Sequence, residues 1–353
     1  MSLAAYSERA LIAMSGGVDS SVAAFLCAQN GFNCIGATMK LFKTESRCCS
    51  LQDVNDARDV AYKLGIPHYV LNLGSEFETH VISKFIKTYE EGGTPNPCID
   101  CNRYVKFNSL LLRAHCLEYD YLVTGHYALI EKQNERYYLK KSVDKKKDQS
   151  YVLYTMTQEQ LGEIIFPLGN LTKDEVRLIA AEQNFINAKK KDSQDICFVP
   201  DGDYGTFMEE RLQKKFKEGN ILDTSGNIIG THKGHVRYTI GQRRGLGLSF
   251  NEPMYVCGKS ATDNTVTLGR EKDLYTKSFF VSDINLIVSD TLQKPMRVMV
   301  KTRYMQQESP AIIEQIEEDK ISVEFETEQK SVTSSQAAVF YDGDYVVGGG
   351  TIL

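Results

Sequence analysis

Seven residues near the N-terminus constrain this chain most. Ser15-Gly16-Gly17-Val18-Asp19-Ser20-Ser21 follows the apolar run Ala10-Leu11-Ile12-Ala13-Met14 and leads into a helical pattern over Ser20 to Gln29. A short apolar run closed by glycine reads as a buried strand, and Asn30-Gly31 is a helix stop. A loop between strand and helix exposes unpaired N–H groups at the positive end of the helix dipole, and the two together bind phosphate. Gly16 and Gly17 let the backbone approach an anion. Ser15, Ser20 and Ser21 can donate hydroxyls to it. Asp19 beside an anion calls for a cation, and Mg2+ would reconcile the two charges. The loop lacks the lysine of a Walker A motif, so γ-phosphate transfer is not indicated. The bland alternative is a serine- and glycine-rich turn that only caps a helix; the position directly after the first strand argues for the phosphate cradle.

The pattern repeats downstream. Strands are expected at Asn33 to Met39, Tyr69 to Leu73 and Tyr121 to Thr124, and helices at Leu51 to Leu64, Phe77 to Tyr89 and Val105 to Leu117. Alternation in this order predicts an α/β domain with a parallel sheet covered by helices. Ala128 to Leu139 reads as a hairpin around Asn134-Glu135. Thr172 to Asn184 reads as a helix whose Thr172 and Glu175 form a capping box. From about Asp201 the chain turns to glycines and short strands, among them Val236 to Ile240, Met254 to Lys259, Thr265 to Leu268, Met296 to Tyr304, Ile321 to Phe325 and Ala337 to Tyr341. The 353 residues exceed one ordinary core. The expectation is a catalytic domain over 1–200, a small mostly-β central domain over 201–275 and a C-terminal β-barrel over 276–353, with a sandwich as its alternative.

Met1 to Met14 has no long apolar run, and no segment approaches the ~20 apolar residues of a membrane span. A cytoplasmic protein with no membrane partner is expected. The net charge of -5 leaves a nucleic-acid partner open. Lys145-Lys146-Lys147, Lys189-Lys190-Lys191, Lys214-Lys215 and Arg243-Arg244 read singly as solvated faces.

Nine cysteines, an odd number in a long chain, argue against a disulfide framework. Cys27, Cys34 and Cys116 fall in apolar segments and read as buried inert thiols. Cys98 and Cys101 form a C-x-x-C between a proline pair and a helix. Cys197 stands in the polar loop Asp192 to Phe198. Cysteines in polar loops beside a nucleotide site suggest thiolate chemistry. The alternatives are uninvolved thiols, or a structural zinc with Cys48, Cys49 or a histidine as fourth ligand.

The Ser15–Ser21 loop resembles the PP-loop of the ATP pyrophosphatases, which hold the pyrophosphate half of ATP and transfer AMP to a carbonyl oxygen. The resemblance widens along the chain. Gly36 to Lys40, Thr94 to Phe107, Thr124-Gly125-His126-Tyr127, Lys147 to Tyr151, Ser193 to Phe198, Gly230 to Gly247, Thr302-Arg303-Tyr304, and Gln336 with Val339-Phe340-Tyr341 resemble, in order, the tRNA-specific 2-thiouridylase family. The match covers nearly the whole chain, and so many ordered motifs are specific together.

The resemblance implies an adenine nucleotide alpha hydrolase-like N-terminal domain and a tRNA-binding C-terminal barrel. It implies ATP at Ala13, Met14, Ser15, Gly16, Gly17, Val18, Asp19 and Ser20, with Met39 and Gly125 near the adenine or ribose. It implies that the C2 oxygen of the wobble uridine is adenylated. A sulfur carrier or cysteine desulfurase loads Cys197 as a persulfide. Cys101 is the second catalytic cysteine; it either attacks first or resolves the persulfide through a transient Cys101–Cys197 disulfide, of a kind a reducing cytosol tolerates. Asn96, Pro97, Cys98, His126, Asp148, Gln149, Ser150, Arg303, Tyr304 and Gln336 match the family's tRNA contacts. Stacking and edge hydrogen bonds to splayed bases suit Tyr304 and His126.

One position departs. Many family members have aspartate where this chain has Cys98, and Asp100 is displaced along the loop. Cys98, Cys101 and Cys197 could then ligate a [4Fe–4S] cluster with one open iron; the persulfide route is favoured. The family lends Cys48 and Cys49 no role. Two other readings remain. Another PP-loop enzyme, an amide-forming ligase, leaves Cys101, Cys197 and the barrel without use. A non-catalytic RNA-binding module leaves the phosphate loop idle.

Overall fold

The computed structural model describes residues 8–42, 51–191, 196–199 and 202–353. Cys48, Cys49 and residues 192–195 of the polar loop lie outside the described residues. The chain divides into two compact units. One comprises Met1–Ile82, Cys98–Pro200 and Asp344–Val346; the other comprises Ser83–Pro97, Asp201–Gly343 and Val347–Leu353.

The first unit is built on a sheet of β1 (Arg9–Ala13), β2 (Asn33–Lys40), β3 (His68–Asn72) and β4 (Tyr121–Val123). Next comes the hairpin of β5 (Ala128–Gln133) and β6 (Arg136–Lys141), turning where the sequence placed it, and then β7 (Ile164–Ile165). The order β3-β2-β1-β4-β7 is parallel throughout. Helices α1 (Val18–Gln29), α2 (Leu51–Leu64) and α3 (Lys173–Glu182) bury Val22, Ala23, Val60, Ala61, Val176 and Ala180 with Ala10, Ile12 and Val123 of the sheet. Parallel strands need covering helices to bury their apolar side chains, and these runs supply them. The box at the start of α3 forms as expected: the Thr172 backbone N–H donates to Glu175 Oε2 at 2.7 Å, and Glu175 N–H donates to Thr172 Oγ1 at 3.3 Å.

Two expectations for this unit change. Helical backbone begins at Pro97, not near Val105, and runs through a π-helical stretch Cys101–Leu110 to Cys116. Proline suits a first helical position because its missing N–H would be unpaired there anyway. Cys98 and Cys101 therefore stand three residues apart on helical backbone, the spacing of side chains that share a face. Cys116, expected to be buried, is exposed at the end of that helix, whereas Cys27 and Cys34 are buried.

In the second unit, β8 (Gly219–Leu222), β9 (Ile228–His232), β10 (Tyr255–Ser260) and β11 (Thr265–Gly269) pair in the order β10-β11-β8-β9. Ile221, Val256, Val266 and Leu268 form their core. The expected strand Val236 to Ile240 is not one. Its start is a 3₁₀ turn, His235–Arg237, and glycines of positive φ bracket it, Gly234 at 104° and Gly241 at 87°. Arg237 is drawn instead to Asp203 and Glu209, at 3.2 and 3.1 Å. The last six strands are β12 (Tyr275–Leu286), β13 (Met296–Lys301), β14 (Ser309–Glu317), β15 (Lys320–Lys330), β16 (Ala337–Asp342) and β17 (Tyr345–Ile352). They pair in the order β12-β15-β14-β13-β16-β17, and β12 pairs with β17 to close a barrel. Ile321, Val323 and Phe325 alternate inward with Val281, Val298, Ile313 and Phe340, so closure rather than a two-sheet sandwich removes the edges. Among the described residues no helix is long and apolar enough to cross a membrane.

Candidate active site

Nucleotide sites of open parallel sheets lie beyond the carboxyl ends of the strands. The residues expected to hold ATP gather there. Ala13 ends β1, Met39 is the penultimate residue of β2, and Gly125 is the second residue after β4. Between β1 and α1 the loop is shaped by its own hydroxyls. Ser20 Oγ donates to Gly17 O at 3.1 Å and accepts from Ser15 N at 3.2 Å. Ser21 Oγ donates to Gly17 O at 3.0 Å. Ser20 and Ser21 are buried, at 5% and 0% exposure. Their hydroxyls brace the turn, and Ser15 is the exposed one. Gly16 has φ of 71°, and a Cβ there would lie 2.2 Å from Asp53 O; only glycine fits.

A lysine from another element reaches the loop. Lys173, the first residue of α3, places Nζ 2.7 and 2.9 Å from the two oxygens of Asp19. Tyr127 Oη donates to Asp19 Oδ1 at 2.8 Å. Both partners of Asp19 are anchored by the loop that follows β6. Asp144 Oδ2 accepts from Lys173 N at 3.0 Å. Gln149 Oε1 accepts from Tyr127 N, and Gln149 N donates to Tyr127 O, each at 2.9 Å. Asp148 accepts from Ser150 Oγ at 2.7 Å and from Ser142 N at 3.0 Å, and Ser150 is fully buried. The segment Asp148-Gln149-Ser150, half-buried at its first two residues and buried at the third, thus braces the phosphate loop from behind.

A second lysine meets the loop from behind. Lys190 Nζ donates to Gly16 O at 3.1 Å and to Asp53 and Asp56 of α2 at 2.6 and 2.7 Å. Burial alone would lower its pKa, but the hydrogen bonds to the two aspartates outweigh it and raise the value. Asn187 Nδ2 donates to Gly16 O at 3.0 Å and to Ser21 Oγ at 2.9 Å. On the adenine side of the expected site, Thr38 Oγ1 donates to Met14 O at 2.7 Å and so accepts from His68 Nε2 at 2.8 Å. Burial, and then the charge of Arg58, lower the His68 pKa.

The other expected residues are placed as follows. Cys98 is exposed and Cys101 half-buried at the start of the helix from Pro97. Asn102 Nδ2 donates to Val152 O at 2.9 Å and fixes that helix. Cys197 is half-buried; its neighbour Phe198 packs edge-on against Phe77 with ring centroids 5.8 Å apart. Among the described residues no three Cys, His, Asp or Glu side chains gather as a metal site. Asp19, one carboxylate at a phosphate loop, fits a Mg2+ that arrives with nucleotide phosphates, since this ion is usually held by one or two carboxylates plus phosphate oxygens. His126 is buried between Phe107 and Phe166, with centroids 5.7 and 5.8 Å away.

In the second unit Gln336 Nε2 donates to Thr94 O at 2.7 Å, just before half-buried Asn96 and buried Pro97. Arg303 Nη2 donates to Ile240 O, Ser331 O and Thr333 Oγ1 at 3.0, 3.1 and 2.8 Å. Arg303 also lines an open pocket of about 650 Å³ with Arg237, Arg244, Gln242 and Tyr204. Tyr304 is half-buried, with Lys301 Nζ 5.9 Å from its ring centroid.

Family models match in three consecutive blocks: a tRNA methyl transferase HUP domain at residues 8–201, a tRNA methyl transferase PRC-barrel domain at 205–270, and an aminomethyltransferase beta-barrel domain at 276–352. A solved 4-thiouridine synthetase–RNA complex with bound ATP aligns at a TM-score of 0.34 and 18% identity, over 58% of this chain and 50% of that one. Sheet, loop and domain order define the class: a PP-loop fold followed by two β modules. Curated relatives narrow it. The chain is 50% identical over 355 residues to the tRNA-specific 2-thiouridylase MnmA of Acetivibrio thermocellus, covering 98% of this chain and 99% of that one. It is 49% identical over 353 residues to that of Clostridioides difficile, covering 98% of each. The chain belongs to the tRNA-specific 2-thiouridylase family and is an enzyme of the transferase class.

Proposed function

We propose that this enzyme uses ATP to replace the C2 oxygen of the wobble uridine of tRNA with sulfur. The observation that carries the reading is likeness over 98% of the chain to a 2-thiouridylase, in a chain whose Gly16-Gly17 loop opens a helix at the carboxyl edge of a parallel sheet. The family models are named for methyl transfer. A loop built to cradle phosphate fits ATP chemistry better.

In this reading ATP occupies Ala13 to Ser20 with Met39 and Gly125; Asp19 would hold a Mg2+ ion arriving with the nucleotide, which would neutralise phosphate charge. The C2 oxygen attacks the α-phosphorus and pyrophosphate leaves. The outer sulfur of a Cys197 persulfide attacks C2 and AMP leaves. The Cys101 thiolate attacks the Cys197 sulfur, freeing 2-thiouridine and leaving a Cys101–Cys197 disulfide. A cytoplasmic thiol reductant returns two electrons and reopens it. Asn96, Pro97, Cys98, His126, Asp148, Gln149, Ser150, Arg303, Tyr304 and Gln336 serve tRNA recognition, and 276–353 is the tRNA-binding barrel. The sulfur donor is a persulfide-bearing carrier or cysteine desulfurase.

The test incubates enzyme, ATP, a persulfide donor and unmodified tRNA, and assays 2-thiouridine with AMP in equal amounts. Cys101→Ser and Cys197→Ser are expected to abolish thiolation. Product that persists in Cys197→Ser overturns the sulfur route, and absence of AMP overturns the adenylation.

A further inference from the structure

We propose that Lys173 is the phosphate-binding lysine that the loop sequence lacks. It would hold the β- and γ-phosphate oxygens of ATP, and its pairing with Asp19 is the form it takes before nucleotide enters. This deepens the reading above and rests on ATP occupying the loop.

Lysine is almost never buried without a charged partner, and the Lys173 side chain is only 9% exposed. Its partner, Asp19, is the second residue of α1, so the ammonium stands at the helix end where an anion would bind. Asp19 is 32% exposed and open to a competing cation. It is also gripped from a second side by Tyr127 Oη, so it stays in place when the ammonium turns away. A lysine ammonium is a compact charge on a flexible stem with three rotatable donors, suited to exchanging one anion for another.

The neighbouring lysine is set apart by its surroundings. Lys190 is clasped by two carboxylates, Asp53 and Asp56, and by Gly16 O; moving it would leave two buried acids facing one another. Lys173 bonds both oxygens of one carboxylate, which a cation arriving with ATP can neutralise. Asp144 is then a positioning residue: its carboxylate takes the Lys173 N–H and fixes where the lysine stem starts.

The experiment compares ATP and AMP binding by titration calorimetry, with Mg2+ present. AMP lacks the two phosphates in question. For Lys173→Ala the expected result is ATP affinity lower by roughly 10- to 100-fold, the range for one charge-assisted hydrogen bond, with AMP affinity unchanged. Lys173→Arg is expected to recover part of the loss. Because Lys173→Ala also strands the Asp19 charge, Asp19→Asn/Lys173→Gln is compared with Asp19→Asn, and the same ATP-selective loss is expected. Equal loss for ATP and AMP, or no loss, overturns the proposal. A wild-type enzyme that binds neither nucleotide overturns the underlying reading instead.

Discussion

The backbone of Gly125 rests against the peptide joining Asp19 to Ser20; a Cβ built on Gly125 would come within 2.8 Å of both Asp19 C and Ser20 N. The Ser20 N–H belongs to the first turn of α1, where unpaired donors bind anions. An added methyl must tilt the helix start or push the loop after β4 away. Displacements of about 1 Å at reacting groups can cost 100-fold. Gly125→Ala is therefore expected to weaken ATP binding at least about tenfold with the far-ultraviolet dichroism unchanged. Titration calorimetry checks it, and an unaltered affinity would remove Gly125 from the site.

The loop after β6 offers a second handle. Gln149 satisfies both backbone groups of Tyr127, and Tyr127 in turn holds Asp19. Gln149→Leu leaves the Tyr127 N–H without its side-chain acceptor, a loss of about 1–3 kcal/mol for a buried donor. The expected outcome is faster hydrogen exchange at Tyr127 and weaker ATP binding together. Faster exchange with ATP binding intact would show that Tyr127 does not transmit order to Asp19.

What the sequence disclosed of this site follows its locality. Thr172 and Glu175 are three residues apart, and their box was legible because capping is a local exchange of hydrogen bonds. The strand, glycine loop and α1 were legible for the same reason. Lys173 adjoins that box yet was not singled out, because its partner Asp19 lies 154 residues away and no periodicity links them. Lys190 sits within a lysine run read as a solvated face; folding selects the middle lysine and seats its half-buried head between Asp53 and Asp56. Val236 to Ile240 has strand-like alternation, but two glycines of positive φ and the pull of Asp203 and Glu209 on Arg237 override it.

Thiol reactivity should separate the cysteines. Burial, helped by neighbouring Cys34, pushes the Cys27 thiol up to about 12, and burial pushes Cys34 up to about 11. Only the thiolate is nucleophilic, so at pH 8 roughly one Cys27 in ten thousand is reactive even before access is considered. Cys98 and Cys116 are exposed. Iodoacetamide at pH 8 is expected to alkylate Cys98 and Cys116 first and Cys27 and Cys34 only after unfolding, as read by peptide mass spectrometry. Early labelling of Cys27 would mean that α1 opens in the native protein.

His126 supplies a pH dependence. Its ring shares a 2.7 Å hydrogen bond between Nδ1 and Thr124 Oγ1, and Nε2 faces Lys106 Nζ at 3.4 Å. Lysine only donates, so Nε2 accepts and Nδ1 carries the proton. Burial first, and the Lys106 charge second, hold the pKa well below the usual 6.5. The unfolded chain therefore binds a proton below about 6.5 that the folded chain refuses. Stability from a neutral His126 is complete above that pH and is lost as pH falls through it, by up to about 1.4 kcal/mol per pH unit. His68 and His232, also lowered by burial, act in the same direction, so the comparison must be a difference. Asn in place of His126 keeps a polar group near Thr124 and removes the titration. The thermal midpoint of the wild type is expected to fall more steeply than that of His126→Asn between pH 6.5 and 5, near and below the ordinary histidine value. Parallel curves would show that the His126 pocket admits a proton without cost.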